Sequence, residues 1–259
     1  MPRFAANLSM MFNEVPFLDR FALAAKAGFK GVEFLFPYEH PAAEIAARLK
    51  DNGLHQVLFN APAGDFGKGE RGMAAVPGKQ AAFRESIKLA LEYAAVLACP
   101  RLHIMAGLKP EGVAHDTLTA VYGANLAYAA EECAKVGVKP IIEPINHRDI
   151  PGFFLNTTDQ AAAIIAAIGP EKLGMQFDLY HCQVTEGDVV KRVEKHLPLI
   201  AHMQVADTPG RHEPGTGEVN WPFVFKTIDA LGFRGWIGCE YRPAGETLAG
   251  LSWFAPYKD

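Results

Sequence analysis

Three carboxylates in the sequence each close a short apolar run: Glu143 after "KPII", Asp178 after "GMQF" and Glu240 after "WIGC". A charge in that position is costly to bury without a partner. Between the last two, "HMQVAD" sets Gln204 at the matching point of a further run. Neighbours in this series stand about one strand-plus-helix unit apart, ~30 residues. If the runs are adjacent parallel strands, four oxygen donors converge at one end of the sheet. Three carboxylates held together repel, and a divalent cation is the simplest partner that relieves this. Oxygen-only ligation suits Mg2+ or Mn2+ better than zinc. One such carboxylate is more simply explained by an Arg or Lys partner, so the repetition carries the metal reading.

The elements that must position these residues follow a regular rhythm. Strand-like runs occupy 3–10, 31–36, 55–62, 101–107, 138–146, 173–181, 201–207 and 235–241. Between them lie helix-period stretches such as "FLDRFALAAKAG", "AAEIAARLKDNG", "FRESIKLALEYAAVLA" and "NLAYAAEECAKVG", several closing on glycine, which ends helices easily. Eight strands alternating with helices, and no Pro/Ser-rich linker, predict an α/β fold: a single (β/α)8 barrel over 1–259. The competing open doubly wound sheet usually carries a glycine-rich phosphate turn after its first strand, and "NLSMMFNE" has none. The barrel places Glu143, Asp178, Gln204 and Glu240 at the C-terminal ends of strands five to eight. The segment 61–79, "APAGDFGKGERGMAAVPGK", follows the third strand, so it belongs to the same face and is long enough to be functional.

Bulk composition narrows the function. The 259 residues are 49% hydrophobic and 21% charged, with a net charge of −4, which argues against a nucleic-acid groove or an anionic membrane surface. The four cysteines form no CxxC pair and suit a reducing compartment. "MPRFAANLSMMFNEV" lacks a signal-peptide pattern and no run has the ~18 apolar residues of a membrane helix, so a cytoplasmic protein is expected. Assembly into a homo-oligomer is left open.

The motifs "ANLSMMF", "GVEFLFPY", "PAGDFGKGERGMAAVPG", "IEPINHRDIPGFFL", "FDLYH", "ADTPGRHEPGTGEVNW" and "WIGCEYRP" together resemble the hydroxypyruvate isomerase family, within the xylose-isomerase-like TIM barrels. The resemblance runs from about residue 3 to the C-terminus. 2-Oxo-tetronate isomerases share much of the pattern, and "IEPINHRDIPGF" looks more like the hydroxypyruvate enzymes. The resemblance implies metal ligands at Glu143, Asp178, Gln204 and Glu240, with Glu143 and Glu240 also catalytic. The implied substrate is a small sugar acid. Hydroxypyruvate and tartronate semialdehyde differ only in which of two adjacent carbons holds the carbonyl. Two carboxylates on opposite sides of an enediolate could exchange the proton, while a divalent ion polarises the carbonyl.

The substrate's own carboxylate needs a cation or donor. Arg211, in "DTPGRHEPG" after strand seven, is the first candidate, and Arg71 in "GERG" could swing in with the third loop. His181 in "DLYH" matches a position that contacts substrate oxygen in related sugar epimerases. Glu33 in "GVEFLF" is expected to point into the barrel mouth behind these groups, and Cys239 to face the helices. Two other functions stay in view: a metal-dependent DNA-repair endonuclease, since such enzymes share the barrel family, and a non-catalytic sugar-acid binder. The first gathers several zinc ions with many histidines, where this chain offers Gln204. The second has no need of paired carboxylates.

Overall fold

The computed structural model describes residues 1–258; Asp259, part of the expected barrel domain, lies outside them. Eight parallel strands close in chain order: β1 (Arg3–Asn7), β2 (Gly31–Phe34), β3 (His55–Asn60), β4 (Arg101–His103), β5 (Lys139–Ile142), β6 (Gly174–Asp178), β7 (Ile200–Gln204) and β8 (Trp236–Cys239). β8 returns to β1, with Ala5 opposite Gly238 and Ala6 opposite Cys239. All eight expected strands are present, each shorter than its apolar run. The remainder of each run leaves the sheet to build the mouth. The largest difference is at 173–181, where Asp178 ends β6 and caps a helix, so that Tyr180 and His181 are helical.

The outer layer is α1 (Arg20–Ala27), α2 (Ala42–Asp51), α3 (Gln80–Leu97), α4 (His115–Lys135), α5 (Thr158–Ile168), α6 (Leu179–Thr185), α7 (Val189–His196) and α8 (Trp221–Ala230). Local chemistry sets their ends. Gly28 terminates α1 at φ +104°, where side chains are disfavoured. Thr157 and Asn220 cap α5 and α8 by accepting from Gln160 and Phe223 backbone N–H groups. The main apolar core lies between strands and helices and includes Cys239, which faces outward as alternation requires.

The barrel interior is different. A small cluster of Ala5, Val57, Leu58, Ile141 and Trp236 makes an apolar floor. Two residues further along a strand, the side chain returns to the same face. Ala5 is thereby followed by Asn7, Ile141 by Glu143, Gln176 by Asp178, His202 by Gln204 and Gly238 by Glu240. Those five end points form a buried polar rim at the C-terminal face.

Candidate active site

The rim opens into a cavity of about 570 Å³ lined by Glu143, His181, Arg211, Glu240, Arg71 and His103, among others. Phe36 and Phe66 pack at its edge as a tilted pair with ring centroids 5.1 Å apart. Glu143, Asp178 and Glu240 are each at most 6% exposed, so three carboxylates share a water-poor mouth. Burial first, then the Glu240 and Asp178 charges, raise Glu143 well above the carboxylate range. Burial pushes Glu240 up to about 8 against the pull of Arg211, and Asp178 to about 6 against the same guanidinium. Groups perturbed this way in a cleft mark a functional site.

Asp178 serves two purposes. Its Oδ1 accepts from the Tyr180 and His181 backbone N–H groups at 2.7 and 3.4 Å, which starts α6. Its Oδ2 is left buried without a hydrogen-bond partner, as is Glu143 Oε1. Glu143, Asp178 and His181 each offer a ligand atom within 4.8 Å of the others. Orphaned anionic oxygens beside a neutral imidazole are the donor set a divalent cation satisfies. His181 is kept neutral by burial and by Arg211, with Nδ1 2.7 Å from the Asn146 amide nitrogen and Nε2 3.6 Å from Asp178 Oδ2.

Gln204 reaches the cluster, but in this orientation it gives nitrogen rather than oxygen. Its Nε2 donates to Glu240 Oε2 at 2.6 Å and Glu33 Oε1 at 2.8 Å, while its Oε1 accepts from Gln176 Nε2. To bind a cation through oxygen, the amide must turn over. Glu33 lies below the rim, 1% exposed, and accepts from His202 Nε2 at 2.7 Å. Room for it comes from Gly238, where an added Cβ would overlap the Glu33 carboxylate.

Arg211 lies deeper than a surface guanidinium. It donates to Glu240 Oε1 at 2.8 Å and Asp149 Oδ2 at 3.0 Å and stands 3.8 Å from Asp178 Oδ2. Its Nε–H is buried and unused. Asp207 fixes the loop that carries it, accepting from the backbone N–H groups of Thr208, Gly215, Gly217 and Val219. Arg211 itself sits at φ +56°, in the left-handed region. Arg71 lies on the third loop, over the Phe66 ring at 3.9 Å, donating to the carbonyls of Phe66 and Glu70. That loop is pinned to the end of β4 by a Gly72–Ala106 bridge and by Ala75 N–H donating to Ala106 O.

Sequence reasoning passed over His103, Asn7 and Asp149. His103 ends β4, its Nε2 3.7 Å from Glu143 Oε2, and burial followed by His202 lowers it to about 3. The rule that found Glu143, a polar residue closing an apolar run, also applies to "RLH" and "RFAAN". Asp149 carried no such signal, since it sits in an irregular loop.

A polar, carboxylate-rich cluster at the C-terminal mouth of a parallel barrel is the site of a barrel enzyme. The chain belongs to the xylose isomerase-like TIM barrel family, whose model matches residues 21–257. It is 56% identical over 257 residues to 2-oxo-tetronate isomerase of Cupriavidus necator, covering 99% of both chains. Over 258 residues, all of both chains, it is 44% identical to hydroxypyruvate isomerase of Escherichia coli. The crystal structure of AP endonuclease, family 2 from Brucella melitensis is 48% identical and covers both chains fully, with a TM-score of 0.98. With curated relatives named isomerases, the chain is an enzyme of the isomerase kind that its motifs implied. Among the described residues, no helix is long and apolar enough to cross a membrane.

Proposed function

We propose that this enzyme isomerises a short 2-oxo sugar acid by moving its carbonyl to the neighbouring carbon. The observation that carries the reading is the pair of buried carboxylates, Glu143 and Glu240, at the ends of strands five and eight of one mouth, both raised by burial. One takes the proton from the hydroxyl-bearing carbon, and the C–H electron pair enters the C=C bond of an enediolate. The other returns a proton to the adjacent carbon, and the hydroxyl proton ends on the former carbonyl oxygen. No external oxidant or reductant is consumed. Raised pKa values suit this work, because a weaker acid is a stronger base when ionised and holds a proton to return when it is not.

Glu143, Asp178 and Glu240 would hold a divalent cation, Mg2+ or Mn2+, with Gln204 joining once its amide turns and His181 beside them. When bound, it polarises the carbonyl and offsets the enediolate charge. Arg211 lines the cavity with its guanidinium beside Glu240 and is our choice to bind the substrate carboxylate. Arg71, packed on Phe66, closes the outer side. Of the two acids named for the relatives, the three-carbon hydroxypyruvate was favoured by "IEPINHRDIPGF". The higher identity to the Cupriavidus enzyme favours the four-carbon 2-oxo-tetronate, which we rank first. We place the enzyme in the cytoplasm, acting on a small molecule.

Turnover of both acids by chelator-stripped and Mg2+- or Mn2+-reloaded protein in deuterated water tests this reading. Activity should follow the metal, and solvent deuterium should enter carbon of the product. Glu143→Gln and Glu240→Gln should each lose on the order of 10²–10⁴ in rate. Full turnover by metal-free protein, or near-normal rates in either variant, would overturn the assignment. Nicking of damaged duplex DNA without turnover of either acid would move the function to the endonuclease suggested by the Brucella relative's name.

A further inference from the structure

Beneath Glu240 the barrel contains three connected polar residues, Asn7, Glu33 and His202, that the metal and proton-transfer roles leave unused. Asn7 Nδ2 donates to Glu33 Oε1 at 3.0 Å and to Glu240 Oε2 at 3.1 Å. Gln204 Nε2 makes the same two bonds, at 2.8 and 2.6 Å. Two amides therefore bridge two carboxylates, each spending both of its N–H groups. A carboxylate only accepts, so both amides face Glu33 with nitrogen here, and if Gln204 turned toward a cation Asn7 would remain as the bridge. The Asn7 oxygen is held in turn by the Ser9 N–H at 3.0 Å, and the second Glu33 oxygen by His202 at 2.7 Å.

The two carboxylates at the mouth differ as a result. Glu240 has Oε2 tied down from below by two donors, which leaves Oε1 for the cavity side, where Arg211 meets it. Glu143 has an Oε1 with no hydrogen-bond partner, 4.0 Å from His181 Nε2. We propose that Glu33 is a positioning residue for Glu240, acting through Asn7 and, in the orientation described, Gln204. The proposal rests on the reading of Glu240 as a proton-transfer group. Glu33 does not line the cavity, so it acts without touching substrate. The Asn7 bridge is independent of any turn of the Gln204 amide on cation binding.

Glu33→Gln and Asn7→Ala, assayed as metal-loaded enzyme, test it. Each should lower kcat by about 10- to 100-fold, the usual effect of removing a group that orients a catalytic side chain, and leave KM little changed. Groups that act as one unit are non-additive, so the double variant should lose no more than the worse single one. Deuterium exchange into recovered substrate, divided by turnover, gives a ratio that does not depend on the fraction of folded enzyme. It should shift in both variants, because mis-set Glu240 slows only one of the two proton transfers. Wild-type kcat in either folded variant, additive losses, or exchange and turnover falling in proportion would overturn the proposal. If Glu33→Gln does not fold, Asn7→Ala decides alone, since it keeps the Glu33–His202 pair. Glu240→Gln is the control: if it remains active, the reading of Glu240 itself fails; if it is inactive while the other variants are normal, only the positioning role fails.

Discussion

Glu143, Asp178 and Glu240 show how far single residues can be read before a structure exists. Each was visible as a charge closing an apolar run, because burying a carboxylate there demands a reason. Glu33 was visible too, but its role was not, since it depends on Gly238 leaving space on the opposite strand. The depth of Arg211 was hidden for a similar reason: it follows from Asp207 gathering four backbone N–H groups, and loop geometry has no periodicity to read. The buried carboxylates also make a pH prediction. Asp178 is raised to about 6 and Glu240 to about 8 by burial, above the ~4 of an unfolded carboxylate. Between about pH 6.5 and pH 8, above the range in which the buried neutral His103 and His181 lack protons that the unfolded chain holds, the folded state binds more protons than the unfolded chain, so stability falls as pH rises. Melting temperatures of chelated enzyme should drop across this window, and Mg2+ or Mn2+ should restore most of the loss at its upper end. A flat or rising profile for the metal-free enzyme would contradict the burial of these charges.

Among the elements, strands were easier to place than loops and short helices. Parallel strands are apolar on both faces and announce themselves as runs. Their ends do not, because residues beyond the last ladder bond stay apolar while they line the mouth. The helical turn at Tyr180–His181 was read as strand for this reason: only the capping geometry of Asp178 reveals it. The third loop was legible from its glycines, and Gly72 gives one of them a defined task. It holds φ +118°, and an added Cβ would overlap the Met105 carbonyl. Gly72→Ala should cost about 1–3 kcal/mol in stability through strain and overlap. By loosening the loop that carries Arg71, it should also lower kcat/KM more than it affects metal affinity. Thermal unfolding, steady-state kinetics and metal titration measure the three effects. Unchanged kcat/KM would show that the loop takes no part in substrate binding.

For the whole molecule, the alternation of runs and helical periods was enough to specify a closed barrel, because parallel strands joined by helices leave few other ways to cover both faces of a sheet. What the pattern could not supply was which residues of neighbouring strands stand at the same height. That depends on register, and the register irregularities between Val32 and Glu33 and between Met175 and Gln176 have no sequence marker.

The bridge from Asn7 to Glu240 joins residues 233 positions apart, one on the first strand and one on the last. The site is therefore complete only once β8 has paired with β1. Long-range closures of this sort are slow, as loop entropy is lost before the contacts form. Catalysis thus acts as a late clock in the life of the chain. During refolding from denaturant, helical circular dichroism should recover first and turnover last, with the lag set by closure of the ring. A nascent chain whose last strand is still unpaired would carry three of the four predicted ligands, Glu143, Asp178 and Gln204, and remain silent. Simultaneous recovery of ellipticity and activity would mean that the ring closes as fast as its helices form.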